Sequence, residues 1–129
     1  GVDVDVVPAG RPLPVRVDGL LIEQVVLNLV RNAIVAACAP ASARRRAEVA
    51  VTTGPNGAAT LSVTDWGDGV DRSIAPRLFE PFATARPGGL GLGLAISRSV
   101  IEAHGGSIAH RPNPQGGSIF EFQLPRHPA

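Results

Sequence analysis

The sequence has 129 residues, enough for one domain with a core of its own and too few for two, so a single site is expected. Lys and Arg number 12 against 11 Asp and Glu, a balance that gives no reason to expect a nucleic acid, a lipid surface or a strongly charged partner. No apolar run approaches the roughly 20 residues that span a bilayer, and Gly1–Val7 lacks the basic start and apolar stretch of a signal peptide, so a soluble piece without direct membrane contact is expected, cytoplasmic even where its parent protein is anchored in a membrane.

Val2, Val4 and Val6 alternate with Asp3 and Asp5, which predicts a half-buried strand that the Pro8–Pro14 segment ends before Val15–Val17. Asp18 can cap a helix. From Leu20 to Ala37 every residue is apolar except Glu23, Gln24, Asn28, Arg31 and Asn32. At about 100° per residue these five fall within half of the circumference, as in a core helix with one polar stripe. Cys38, the single cysteine, excludes an internal disulfide and fits a reducing compartment; within this apolar pattern it is expected to be a buried small hydrophobe. Pro40 and the segment to Arg46 make a loop. Glu48–Thr53 and Ala59–Asp65 predict a hairpin turning about Gly54–Gly57. Arg72–Leu78 is a short helical candidate, and Phe79–Gly91 is a connection rich in Gly and Pro. A helix is expected from about Leu92 to His104, stopped by Gly105 and Gly106. Ser107–Arg111 and Ser118–Leu124 then close the chain as strands, the second with Phe120, Phe122 and Leu124 on one face. This order predicts an α/β two-layer sandwich, one mixed and mainly antiparallel sheet of about five strands under about three helices.

Three features carry chemistry. Asn28 and Asn32 are four apart on the long helix and stack on its polar stripe. Their amide oxygens suit a hard cation such as Mg²⁺, which keeps few protein ligands when phosphates supply the rest; asparagines that bond only to the surrounding structure fit the same pattern. Asp65 shares the alternation of Ala59, Leu61 and Val63, which turns its carboxylate toward the core face, where it needs donors. An adenine amino group is one, and Gly67 and Gly69 let the backbone come close to a flat ring; an ordinary Asp-Gly turn is the other reading. Gly88–Leu94 runs Gly-Gly-Leu-Gly-Leu-Gly-Leu into a helix, so that backbone N–H groups and the helix dipole can meet a phosphate. Glycine-rich turns before helices also occur without a ligand, and this one is neither a Walker loop nor a Rossmann fingerprint.

Taken together the motifs resemble those of sensor histidine kinases. Asp18–Ala37, with Gln24-Val25-Val26-Leu27-Asn28-Leu29-Val30-Arg31-Asn32-Ala33, is similar to the N box, and Asp65-Trp66-Gly67-Asp68-Gly69 to the first glycine box. Leu78-Phe79-Glu80-Pro81-Phe82 resembles the F box, and Thr84 to Leu94 the lid with its second glycine box. Gly117-Ser118-Ile119-Phe120 with Leu124-Pro125 is similar to the last strand of the family. The resemblance implies the GHKL or Bergerat fold and an ATP-binding catalytic domain over residues 1–129. The short lid, Ala83 to Leu90, is similar to that of nitrogen-regulation and oxygen-sensing kinases.

By this resemblance Asn32 is the Mg²⁺ ligand and Asn28 lies close to the phosphates. Asp65 takes the adenine amino group, Ser118 supports the base or its water, and Gly67 and Gly69 pass beneath the ring. The backbone of Gly89, Leu90, Gly91, Leu92, Gly93 and Leu94 faces the phosphates, Phe79 and Phe82 anchor the lid, and Thr84 and Arg86 lie where the family has Thr and Lys, so that Arg86 reaches the γ-phosphate. Trp66 departs from the usual Asn, Thr or Asp, either altering the edge of the base pocket or packing beside it, and Val35 stands where related kinases are often polar.

The implied function is binding of Mg-ATP and, in the full kinase, transfer of the γ-phosphoryl group to a histidine on a separate dimerisation domain, with a response regulator as indirect partner. In GHKL hydrolases a Glu one turn before the Mg²⁺ asparagine is the general base; Asn28 stands here and cannot accept a proton at neutral pH. A histidine acceptor brings its own nucleophilic nitrogen, so binding, orientation and charge neutralisation suffice. The other readings are a degenerate interaction module and a GHKL-type ATPase. His104, His110 and His127 do not lie in a dimerisation-helix setting, so the chain is expected to bind nucleotide as a monomer without phosphorylating itself.

Overall fold

The computed structural model describes residues 1–10, 12–40, 42–81 and 93–127. Five strands form one sheet: β1 (Asp3–Val7), β2 (Arg46–Thr53), β3 (Ala59–Asp65), β4 (Ser107–Pro112) and β5 (Ser118–Leu124), in the order β1-β2-β3-β5-β4. β1 runs parallel to β2, and every other pair is antiparallel. Two α-helices, α1 (Gly19–Ala37) and α2 (Gly93–Ala103), pack on one face. The expected two-layer sandwich with a mixed, mainly antiparallel sheet is therefore present.

Alternation decides which side chains meet the helices. Ala47 and Val49 of β2 pair with Asp65 and Val63 of β3, and Val63 pairs with Phe120 of β5. Ala47, Val49, Val63 and Phe120, with Phe122 and Leu124, form the sheet half of the core. The other half is the stripe Val25, Leu29 and Ala33 of α1 and Ile101 of α2, at the spacing that keeps one helical face inward. The opposite sheet face is polar and carries the ion pairs of Arg46 with Asp5 and Glu48 and of Arg111 with Glu121. Asp18 caps α1, its Oδ1 accepting the N–H of Leu20 at 3.1 Å and of Leu21 at 3.2 Å. The Asp18 N–H donates in turn to His104 Nε2 at 3.0 Å, and His104 Nδ1 lies 2.7 Å from the Val100 carbonyl. The ring therefore carries its proton on Nδ1 and joins the start of α1 to the end of α2.

Four expectations need correction. Two α-helices form among the described residues rather than three, because Arg72–Leu78 yields only a 3₁₀ turn at Ala75–Arg77. Pro76 has no N–H to continue a helix, and Asp71 draws the Ser73 N–H and hydroxyl into a local turn instead. The β1 strand is exposed along its whole length rather than half-buried, because it lies at the sheet edge and pairs with β2 alone. Cys38 is exposed: it follows the last buried residue of α1, Ala37, and turns outward at the cap. By length and composition alone, α1 is long and apolar enough to span a membrane, contrary to the reading of the sequence. Here it serves as the core helix, although Leu20, Leu27 and Val35 join its polar residues on the outer face.

Candidate functional site

Three successive turns of α1 carry two contacts and, between them, an amide. At its C-terminal end the Gly67 backbone lies against the helix so closely that a Cβ on Gly67 would stand 2.5 Å from the Ala36 carbonyl oxygen, so this position has no room for any side chain. One turn earlier is Asn32, half-buried and without a hydrogen-bond partner among the described residues. Another turn earlier, Asn28 Nδ2 donates to the Gly93 carbonyl at 3.5 Å and to Ser97 Oγ at 3.4 Å, both at the long end of the range. From Ala36 to Asn28 the helix rises about 12 Å, with the Asp65–Gly67 turn at one end and the N-terminus of α2 at the other.

Asp65 ends β3 with its side chain on the helix face, as the alternation requires, and is 2% exposed. Its Oδ1 accepts the N–H of Gly67 at 2.9 Å and of Ser118 at 3.2 Å. Two backbone donors fix the carboxylate plane and compensate its burial. Gly69 adopts φ +76°, the left-handed conformation that a glycine takes without strain. Ser118 is buried beside Asp65, and its Oγ lies 2.9 Å from His110 Nε2.

Of the residues singled out in the sequence, Asn28, Asn32, Gly67 and Gly93 follow one line along α1, the α1 trough, and Asp65 and Ser118 join it through the Gly67 N–H, with Gly69 two residues further along that turn and Leu94 against the core. Phe79 packs edge-on to Phe120, with ring centroids 6.2 Å apart. Thr84, Arg86, Gly89, Leu90, Gly91 and Leu92, together with Phe82, lie outside the described residues. Among those described, no group of three or more His, Cys, Asp or Glu side chains gathers. The Trp66 ring packs against the guanidinium groups of Arg44 and Arg46. An apolar cavity of about 520 Å³ lies at the far end of the sheet, where Leu61 and Leu124 meet Leu13 and Val15, and takes no part in this arrangement.

Four residues escaped the sequence reading. Ser97, fully buried, receives Asn28. Asn113, buried in the β4–β5 turn, donates to the Asp65 carbonyl at 2.9 Å, and Gln115 in the same turn accepts the Trp66 indole N–H. His110 faces Ser118 and packs on Phe120 at 4.9 Å. Only the Asn-Pro-Gln-Gly-Gly composition of the turn hinted at any of them.

Burial pushes the His110 imidazole below its ordinary 6.5, so the fold prefers the neutral ring. As pH falls below 6.5 the unfolded chain takes up its proton before the folded chain does. The stability this preference contributes is therefore full above 6.5 and declines as pH drops toward the folded value. Urea midpoints measured from pH 7.5 to 5.5 are expected to fall less steeply for His110→Asn than for the unsubstituted chain; equal slopes would show that His110 is not the group responsible.

Comparison with known proteins gives a consistent picture. The sensor protein DctS of Rhodobacter capsulatus, named for C4-dicarboxylate transport, is 40% identical over 117 residues, covering 90% of this chain and 18% of that protein. The chain spans about a fifth of the length of the curated relatives it matches. Among solved structures, the mycobacterial sensor histidine kinase MprB superposes with a TM-score of 0.80 at 30% identity over 99% of this chain and 84% of that one. Full-length ShkA, solved in complex with AMPPNP, does so with a TM-score of 0.77 at 28% identity over 98% of this chain and 26% of that one. The family described as "Histidine kinase-, DNA gyrase B-, and HSP90-like ATPase" matches residues 17–128; the chain belongs to this family, and within it to the sensor histidine kinases.

Proposed function

We propose that the chain is a single ATP-binding catalytic domain that takes Mg-ATP along the α1 trough and, within its parent sensor kinase, presents the γ-phosphoryl group to a histidine on a separate dimerisation domain. The observation that carries this reading is the line of contacts on α1. The Gly67 turn at Ala36, the Asn32 amide and the Asn28–Gly93 contact follow one another over about 12 Å of the helix, which we assign in that order to base, metal and phosphates. Asp65 accepts the adenine amino group, held in plane by Gly67 and Ser118, and Gly67 and Gly69 offer bare backbone to the ring. Ser118 completes the base end with His110 behind it.

Asn32 fits a Mg²⁺ ion, because its half-buried amide has no bond to the described residues and amide oxygen is a hard ligand. Bound there, Mg²⁺ would supply charge neutralisation between phosphate oxygens. Asn28 holds the start of α2 near the phosphates, with the backbone of Gly89, Leu90, Gly91, Leu92, Gly93 and Leu94 as their cradle and Thr84 and Arg86 as lid contacts. An amide at position 28, already bonded to Gly93 and Ser97, does not activate water, which supports phosphoryl transfer over hydrolysis. The complex of full-length ShkA with AMPPNP supports the choice of nucleotide. The reading places the chain in the cytoplasm as a monomeric module, with any membrane anchor elsewhere in the parent kinase and a response regulator as indirect partner.

Calorimetric titration with ATP, ADP and GTP, with and without Mg²⁺, tests it. Adenine-selective binding strengthened by Mg²⁺ for ATP is expected, with dissociation constants of about 1 μM to 1 mM. A folded sample that binds no nucleotide at saturating concentration would overturn the reading.

A further inference from the structure

Trp66 is the single tryptophan of the chain and directly follows Asp65. The residue is 7% exposed, and its ring is covered by the guanidinium groups of Arg44 and Arg46, each 5.4 Å from the ring centroid. On the β2 side the Trp66 carbonyl accepts the Ala43 N–H at 2.9 Å and the Ser42 hydroxyl at 3.1 Å. On the other side the indole N–H donates to Gln115 Oε1 at 2.9 Å. Gln115 stands in the β4–β5 turn, which closes on itself: Gln115 N–H donates to Asn113 Oδ1 at 3.1 Å, and Asn113 N–H to the Gly117 carbonyl at 3.0 Å. The same turn reaches Asp65 twice, through Asn113 Nδ2 on its carbonyl and through the Ser118 N–H on its carboxylate.

We propose that the Trp66–Gln115 bond is a positioning device for the Asp65 carboxylate and that it sets the preference for adenine over guanine. The inference rests on the proposed contact of Asp65 with the base. Adenine offers an amino group at the position where guanine offers a carbonyl oxygen. A carboxylate fixed in direction accepts from the first and repels the second, whereas one that swings discriminates less. Trp66 joins residues 42 and 43, through its carbonyl, to the 113–118 turn, through its indole, and so adds a third tie to the two bonds that the turn makes to Asp65 directly. Without an acceptor at position 115 the indole N–H loses its partner, the turn gains freedom, and the two bonds it makes to Asp65 lose their aim. Gln115 itself is exposed, so its substitution leaves the core untouched.

The test is ATP and GTP binding to the 129-residue chain carrying Gln115→Leu, Gln115→Glu or Trp66→Phe. Gln115→Leu removes the acceptor, Gln115→Glu keeps a carbonyl-type oxygen for the indole, and Trp66→Phe keeps a ring without the N–H. The ratio of ATP to GTP affinity is expected to drop about threefold to tenfold in Gln115→Leu and Trp66→Phe, the range of one net hydrogen bond, and to be kept in Gln115→Glu. Trp66 emission, read in Gln115→Leu, reports the loss of the indole bond independently. If the unsubstituted chain prefers adenine and Gln115→Leu keeps that preference after the emission has changed, the inference falls alone. Equal binding of ATP and GTP by the unsubstituted chain would overturn the reading of Asp65 and the inference with it.

Discussion

Asp65→Asn is expected to weaken ATP binding by about 10- to 100-fold, the range for a hydrogen bond to a charged group, while the chain stays folded. The side chain of Asp65 has two tasks that this substitution separates. Its Oδ1 accepts the Gly67 and Ser118 N–H groups, and an asparagine oxygen can do the same, so the turn keeps its shape. With its oxygen committed there, asparagine must put an NH₂ group where the second carboxylate oxygen stands. Facing the amino group of adenine, donor then meets donor. Calorimetry gives the affinity, and a urea titration on the same samples shows whether the fold has survived. Unchanged ATP affinity in a folded Asp65→Asn chain would remove the base contact from the proposal.

Gly117→Ala is expected to cost about 3 kcal/mol of folding stability, summing the strain of a left-handed residue with a side chain and the overlap of an overpacked site. Gly117 has φ +94°, and an added Cβ would lie 2.3 Å from the Asp65 carbonyl oxygen and 2.7 Å from both Asp65 Oδ1 and Gly67 N. These atoms are backbone or the anchored carboxylate and cannot swing aside as a flexible side chain would. The β4–β5 turn would have to move off Asp65, so nucleotide binding should fall together with the urea midpoint. A midpoint within about 0.5 kcal/mol of the unsubstituted chain, the size of an ordinary surface change, would show that the turn yields easily and that its grip on Asp65 is weak.

Much of this architecture can be read from the sequence, for identifiable reasons. Asp65 was legible because a strand has a period of two, so that Ala59, Leu61 and Val63 fix the side on which the carboxylate emerges. Asn28 and Asn32 were legible because a helix stacks residues four apart, and Asp18 because an acidic residue before an apolar run is a cap. What could not be read depends on contacts between distant segments. Nothing in the composition around Asn113 and Gln115 says that they meet residues 65 and 66, since that follows from β5 pairing with β3. The outward turn of Cys38 and the bare faces of β1 had the same origin: local pattern gives a periodicity, but the neighbours in the fold decide which part of it is covered. Trp66 shows this most clearly, because its indole is covered by Arg44, from a loop with no pattern of its own, and by Arg46, the first residue of β2.

The position of β1 bears on how the native state fluctuates. It pairs with β2 along one side only, and none of its residues is buried. Peeling it away would break a short ladder of hydrogen bonds without opening the packed interior. Regions with few buried contacts open at a small fraction of the global free energy. The amides of Asp3–Val7 would therefore trade their hydrogens with solvent through local excursions, well before those of β3 and β5, whose protection reports on unfolding of the whole sheet.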